Sequence, residues 1–177
     1  YETMRFVLQF FAGRMYRQLG KGEDARRLFE RSIAFAPDSE QKDAAIWYVL
    51  DSALSSNLSQ AIEVFEKLLP LASDRNYFYT LLDRLQGGLL AQARYGDVAR
   101  VHVLINTWGG DRSLIRSSWI IARLIDTGLL DGRSARTLLG IPLGISLRSW
   151  TDERYRFIFD TDTASFYYRS LAALVLG

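Results

Sequence analysis

The side chains able to carry chemistry are few and scattered. The chain has one histidine, His102, set in VHVLI between two valines, and no cysteine. Without cysteine there is no disulfide, thiolate metal site or cysteine nucleophile. A hydrolytic triad or metal site built on His102 would have to draw its partners from other segments. With an apolar neighbour on each side, the residue reads instead as a half-buried packing histidine. Asp160 and Asp162 stand close together in FDTDTAS. Two such carboxylates suit general acid–base work or a cation, but an N-capping turn before the last helix explains them with less. Glu23 and Asp24 open a helix, where carboxylates meet the positive end of the helix dipole, and read as structural. Trp47, Trp108, Trp119 and Trp150 offer flat faces for sugars or peptides, yet their apolar neighbours at helical spacing place them in a core. Gly87-Gly88 falls inside a helical pattern and reads as a close helix crossing, not a phosphate-cradling loop. These residues assign no catalytic group, metal ligand or cofactor, and the binding residues stay open.

Function must therefore be sought through the elements. At 177 residues, 49% of them hydrophobic, the chain can bury a sizeable core. The formal net charge is only +2, and Lys21, Lys42 and Lys67 are the only lysines among 22 basic residues. The arginines are dispersed, so no nucleic-acid stripe is expected. Such a surface is either plainly solvated or suited to anionic and sugar-like partners, because the guanidinium is a planar multiple donor. No apolar run approaches the roughly 20 residues of a membrane span. The chain opens on Tyr1 without a signal peptide and closes on LAALVLG; both ends read as cuts in a longer protein.

Apolar residues recur at helical spacing along most of the chain: Leu58, Ala61, Ile62, Phe65, Leu68, Leu69, then Phe78, Leu81, Leu82, Leu85, Leu89, then Val98, Val101, Leu104, Ile105, Trp108. Breaks are expected at Gly20–Gly22, Pro37–Ser39, Ser55–Asn57, Ser73-Asp74, Tyr95–Asp97, Gly109–Asp111 and Asp131-Gly132. Asn57, Asp74, Asp111 and Ser149 supply N-cap side chains.

One segment repeats. LGKGEDARRLFERSIAFAP, Leu19 to Pro37, places Ala25 four residues before Phe29. The small-then-large pair returns at Ala61 and Phe65, Ala99 and Val103, and Ala135 and Leu139, with the alanines 36, 38 and 36 residues apart. A period of this size marks stacked helix pairs. Alanine lets two helices close, the larger residue one turn later fills the gap, and a single pair cannot bury its own apolar face. The expectation is an all-α chain, an α-solenoid of stacked antiparallel pairs with about nine or ten helices. It forms a single helical-repeat domain over 1–177, regular over about 5–139, with an irregular loop at about 140–149 around Pro142 and Gly144 and terminal helices over 150–177.

The first unit resembles the tetratricopeptide repeat. Gly13, Tyr16, Gly20, Ala25, Phe29 and Pro37 fall where that repeat places its small, aromatic, glycine, alanine, aromatic and proline residues. The second unit keeps Ala61 and Phe65 but has Ser56 in place of Gly20 and no closing proline. The likeness covers roughly residues 5–72 and fades beyond them. Two segments are similar to the superhelical domain of bacterial soluble lytic transglycosylases: DAAIWYVLDSAL, Asp43 to Leu54, and SFYYRSLAALVLG, Ser165 to Gly177. That resemblance implies a periplasmic protein whose helical arch embraces a peptidoglycan glycan strand while a separate lysozyme-like domain cleaves it through a Glu-Ser motif. None of the glutamates here precedes a serine, so the expected role is non-catalytic. A tetratricopeptide-like module binding a protein or peptide on its concave face is the alternative, and an all-α enzyme using His102 is a remote third.

Overall fold

The structure, a computed structural model, describes residues 1–108 together with Ile120 and Gly128. The chain is all-α. Six helices follow one another: α1 (Glu2–Gln18), α2 (Gly22–Ile33), α3 (Ser39–Ser56), α4 (Leu58–Leu68), α5 (Tyr79–Ala91) and α6 (Tyr95–Trp108). Short 3-10 turns at Leu69–Leu71 and Arg75–Phe78 carry the chain from α4 to α5. There is no strand among the described residues.

The helix ends follow local chemistry. After α1 the chain enters the left-handed region at Gly20, φ 72°. The Gly20 N–H donates to the Arg17 carbonyl and the Lys21 N–H to that of Tyr16, which satisfies two of the orphaned carbonyls at the helix end. The same pair of bonds ends α5, from Ala93 to Leu90 and from Arg94 to Leu89. There the left-handed position, φ 54°, is held by an alanine. Asp38 caps α3 by accepting from the Gln41 N–H at 2.7 Å. Asn57 caps α4 through the N–H groups of Ser59 and Gln60, and Asp74 accepts from Asn76 at the second 3-10 turn. The expected break at Tyr95–Asp97 is displaced. Those residues form the first turn of α6, and the chain reverses just before them, at Gln92–Arg94. A glycine in a first helical turn is tolerated, while the reversal needed the left-handed residue that Ala93 supplies.

Each helix packs on the next, and α3 also packs on α5. One buried cluster runs through α2 to α6, including Phe29, Ile46, Phe65, Leu82, Leu85 and Val101. Gly13 explains how α1 joins it. A Cβ there would lie 2.8 Å from Cε1 of Phe29, so only glycine lets the two helices approach this closely. Phe29 in turn stacks on Tyr48 at 4.7 Å, with the Phe10 ring edge-on to both, so that α1, α2 and α3 meet in one aromatic group. Ala25 and Ala61 are completely buried, as are Phe29 and Phe65, but Val103, expected to fill the same gap after Ala99, is 49% exposed because that side of α6 faces an open hollow and not a further helix among the described residues. The side chain of Ala99 and the whole of Ala135 lie outside the described residues. So do the segments about 140–149 and 150–177, and the caps Asp111 and Ser149.

Candidate functional site

Three charged residues at a common spacing meet on one side of the helices. Arg17 ends α1, Asp51 lies in α3 and Arg84 in α5, separated by 34 and 33 residues. Asp51 is 4% exposed. The Arg17 guanidinium donates through Nη2 to its Oδ2, and Arg84 donates through Nη1 to its Oδ1 at 2.5 Å. One buried carboxylate thus holds two arginines and ties α1, α3 and α5 together. The arginine side chains remain 42% and 54% exposed. The Arg17 guanidinium also lies over the Tyr48 ring, 5.2 Å from its centre. The group carries one net positive charge, with further guanidinium N–H groups directed to solvent. That chemistry recognises a carboxylate or another oxyanion beside an aromatic face.

A second pair repeats the 34-residue spacing between α4 and α6. Arg100 of α6 grips Glu66 of α4, 34 residues earlier, through two bonds of 2.6 Å. Its proton is held more tightly than usual, chiefly by those bonds to Glu66 and then by the carboxylate's charge. The pair rims an open hollow of about 400 Å³ lined also by Val103, Leu104 and Trp108. Glu66 is therefore half-buried and paired.

Asp43, 5% exposed, opens a structural role. Its carboxylate accepts from the backbone N–H groups of Ser73 and Asp74, between 2.8 and 3.2 Å, and so anchors the segment between the two 3-10 turns. Tyr77, beyond that segment, has its phenol pushed above the ordinary range, first by partial burial and then by Tyr48, Asp43 and Glu40.

The other chemical candidates settle into packing. His102 is 1% exposed on α6, fully buried and not half-buried, because its neighbours on the helix face, Val98, Val101 and Ile105, all line the core. Trp47 and Trp108 are partly buried against the core. Glu23 pairs with Arg26 in the first turn of α2. Of the two adjacent glycines, Gly88 meets Leu58 as a close crossing predicts, with a Cβ position 3.1 Å from its side chain, whereas Gly87 faces open space. Asp160, Asp162, Trp119 and Trp150 lie outside the described residues. Among the described residues no three His, Asp or Glu side chains gather as a metal site. No described helix is long and apolar enough to cross a membrane. The arginine–aspartate–arginine group escaped the sequence reading. Its only trace in the sequence is charged residues 34 and 33 apart, shorter than the 36 and 38 between the alanines. No family model, curated protein or solved structure matches the chain.

Proposed function

We propose that the chain is a non-catalytic α-solenoid that holds an anionic strand along the side shared by α1, α3 and α5. The observation that carries this reading is the Arg17–Asp51–Arg84 group, which joins α1, α3 and α5 and leaves both arginine side chains about half exposed. Stacked pairs give a long surface on which weak contacts add along an extended ligand. The resemblance of Asp43 to Leu54 to lytic transglycosylase superhelices supplies the ligand class, a peptidoglycan glycan strand with carboxylate-bearing peptide stems, and a periplasmic location. Within that stretch Asp43 and Asp51 bind other elements through their carboxylates and Tyr48 through its ring.

A second reading keeps the same surface and changes the ligand. The tetratricopeptide-like spacing of Gly13, Ala25 and Phe29, with Gly13 packed closely on Phe29 and Ala25 buried, supports an adaptor that takes an acidic peptide. Cosedimentation with purified peptidoglycan sacculi separates the two. The glycan reading expects the chain in the pellet at low salt, released at high salt as exposed charges are screened, and lost to the supernatant in the Arg17→Gln/Arg84→Gln variant. Failure to pellet, together with tight binding of a defined acidic peptide, would transfer the function to the adaptor.

A further inference from the structure

The side of α1 turned away from the array is apolar. Met4, Leu8, Phe11, Met15 and Leu19 are each between 53% and 67% exposed. Outside residues 1–19, the exposed large apolar side chains among the described residues are only Leu71, Tyr77 and Val103, well separated in the chain. The steps of four, three, four and four residues place the five side chains on one stripe, opposite Phe6 and Gly13, which α1 buries. A helix apolar on both sides is built to be covered on both, and a contiguous patch of this kind marks an interaction surface.

The edges of the stripe identify what covers it. Arg5 borders one side and Arg14 the other. Each is held there by aromatic contacts, Arg5 against Tyr1 and Phe35 and Arg14 against Phe11. The one carboxylate of α1, Glu2, points well away from the stripe. A second copy laid on this seam would line its edges with four arginines and no α1 carboxylate to neutralise them. A membrane surface is a poor match as well. The opposite side of α1 is core, where an interfacial helix presents a strongly charged face, and two flanking arginines fall short of a polybasic cluster. The spacing is that of a helix–helix seam. We propose that α1 is the docking surface for an amphipathic helix of a partner protein, whose apolar seam is bordered by acidic residues that meet Arg5 and Arg14. Methionines at two of the five positions let the seam adapt to that helix.

The test uses the full chain and two synthetic helical peptides sharing one leucine–isoleucine seam, flanked in one by glutamates and in the other by lysines. Fluorescence anisotropy reads binding. The glutamate peptide should bind about tenfold or more tightly than the lysine peptide, the effect of two rim charge pairs gained against two repulsions. Phe11→Asp should abolish binding of both. The Arg5→Glu/Arg14→Glu variant should reverse the preference while the chain stays folded, with a melting temperature lowered by only a few degrees, since both positions are on the surface and lose only exposed cation–π contacts. Equal binding of the two peptides, no binding of either, or indifference to Phe11→Asp overturns the proposal. So does a homodimer in sedimentation equilibrium that Phe11→Asp dissociates, which assigns the seam to a second copy. Flotation with phosphatidylglycerol vesicles that Phe11→Asp abolishes assigns it to a membrane, and overturns the proposal equally.

Discussion

Asp51 is the residue on which three helices depend, and its two arginines are not equal to it in importance. Removing Arg84 leaves the carboxylate paired with Arg17. Removing the carboxylate leaves two guanidiniums facing each other over a buried gap. Asp51→Asn should therefore destabilise by about 1–3 kcal/mol, less than a fully buried pair would lose because both arginines reach water. Arg84→Gln should cost under about 1 kcal/mol. Urea denaturation of both variants checks the asymmetry, and equal costs would deny Asp51 its central role. Tyr77 gives a pH dependence with a definite sign. Its phenol releases a proton above the usual value of 10.0 in the folded chain. As pH rises past that value the unfolded chain ionises first, binds fewer protons than the folded chain, and is favoured. Stability thus falls with alkalinity, and Tyr77→Phe should flatten that part of the profile. A spectrophotometric phenol titration compared between the two proteins tests the assignment.

At the scale of helices, glycine and alanine mark where elements touch and where they turn. Gly13→Ala and Ala61→Leu each add volume to a filled contact and should cost on the order of 1–3 kcal/mol. Gly87→Ala meets nothing within 4 Å. It should stabilise α5 by up to about 1 kcal/mol through helix propensity alone. Ala93 presents the opposite case, an L-residue in the left-handed turn that Gly20 occupies after α1. Ala93→Gly relieves the Cβ clash at that φ and should raise stability by about 0.5–1 kcal/mol, net of the entropy glycine loses on folding. Thermal melts of the four variants should divide them by sign. A neutral Ala61→Leu would count against a close contact at the repeat alanine.

For the whole molecule, the ion pairs that join distant helices span 34 residues for Arg17 with Asp51 and for Glu66 with Arg100, and 33 for Asp51 with Arg84, while the bonds of Asp43 to Ser73 and Asp74 span 30 and 31. A glycosidase acid must be kept protonated in an apolar surround near the scissile oxygen, with its proton available to it. Asp43 is occupied by backbone N–H groups and Asp51 by arginines. Incubation of the chain with peptidoglycan sacculi should release no 1,6-anhydro muropeptides at any dose, even where the chain sediments with them. Measured turnover would overturn the non-catalytic reading.

The amino-acid sequence by itself determined the helical class, because an apolar stripe at 3.6-residue spacing and a capping side chain at its start are local properties of a few turns. It determined the caps at Asn57 and Asp74, the buried stripe from Phe78 to Leu89, and the close packing of Ala25 and Ala61. Burial of small residues at regular intervals needs no knowledge of what lies opposite. Tertiary structure alone decided which charges meet. Arg17 and Arg84 resemble every other arginine in the chain until three helices bring them to one buried carboxylate 34 and 33 residues away. It also decided that Glu66 is gripped by Arg100 and that His102 is wholly enclosed, since each depends on a neighbouring helix. The two apolar sides of α1 are visible in the sequence as a helix with too many large side chains. Which side the array covers, and which is left for a partner, was settled by Gly13, where the missing Cβ admits Phe29.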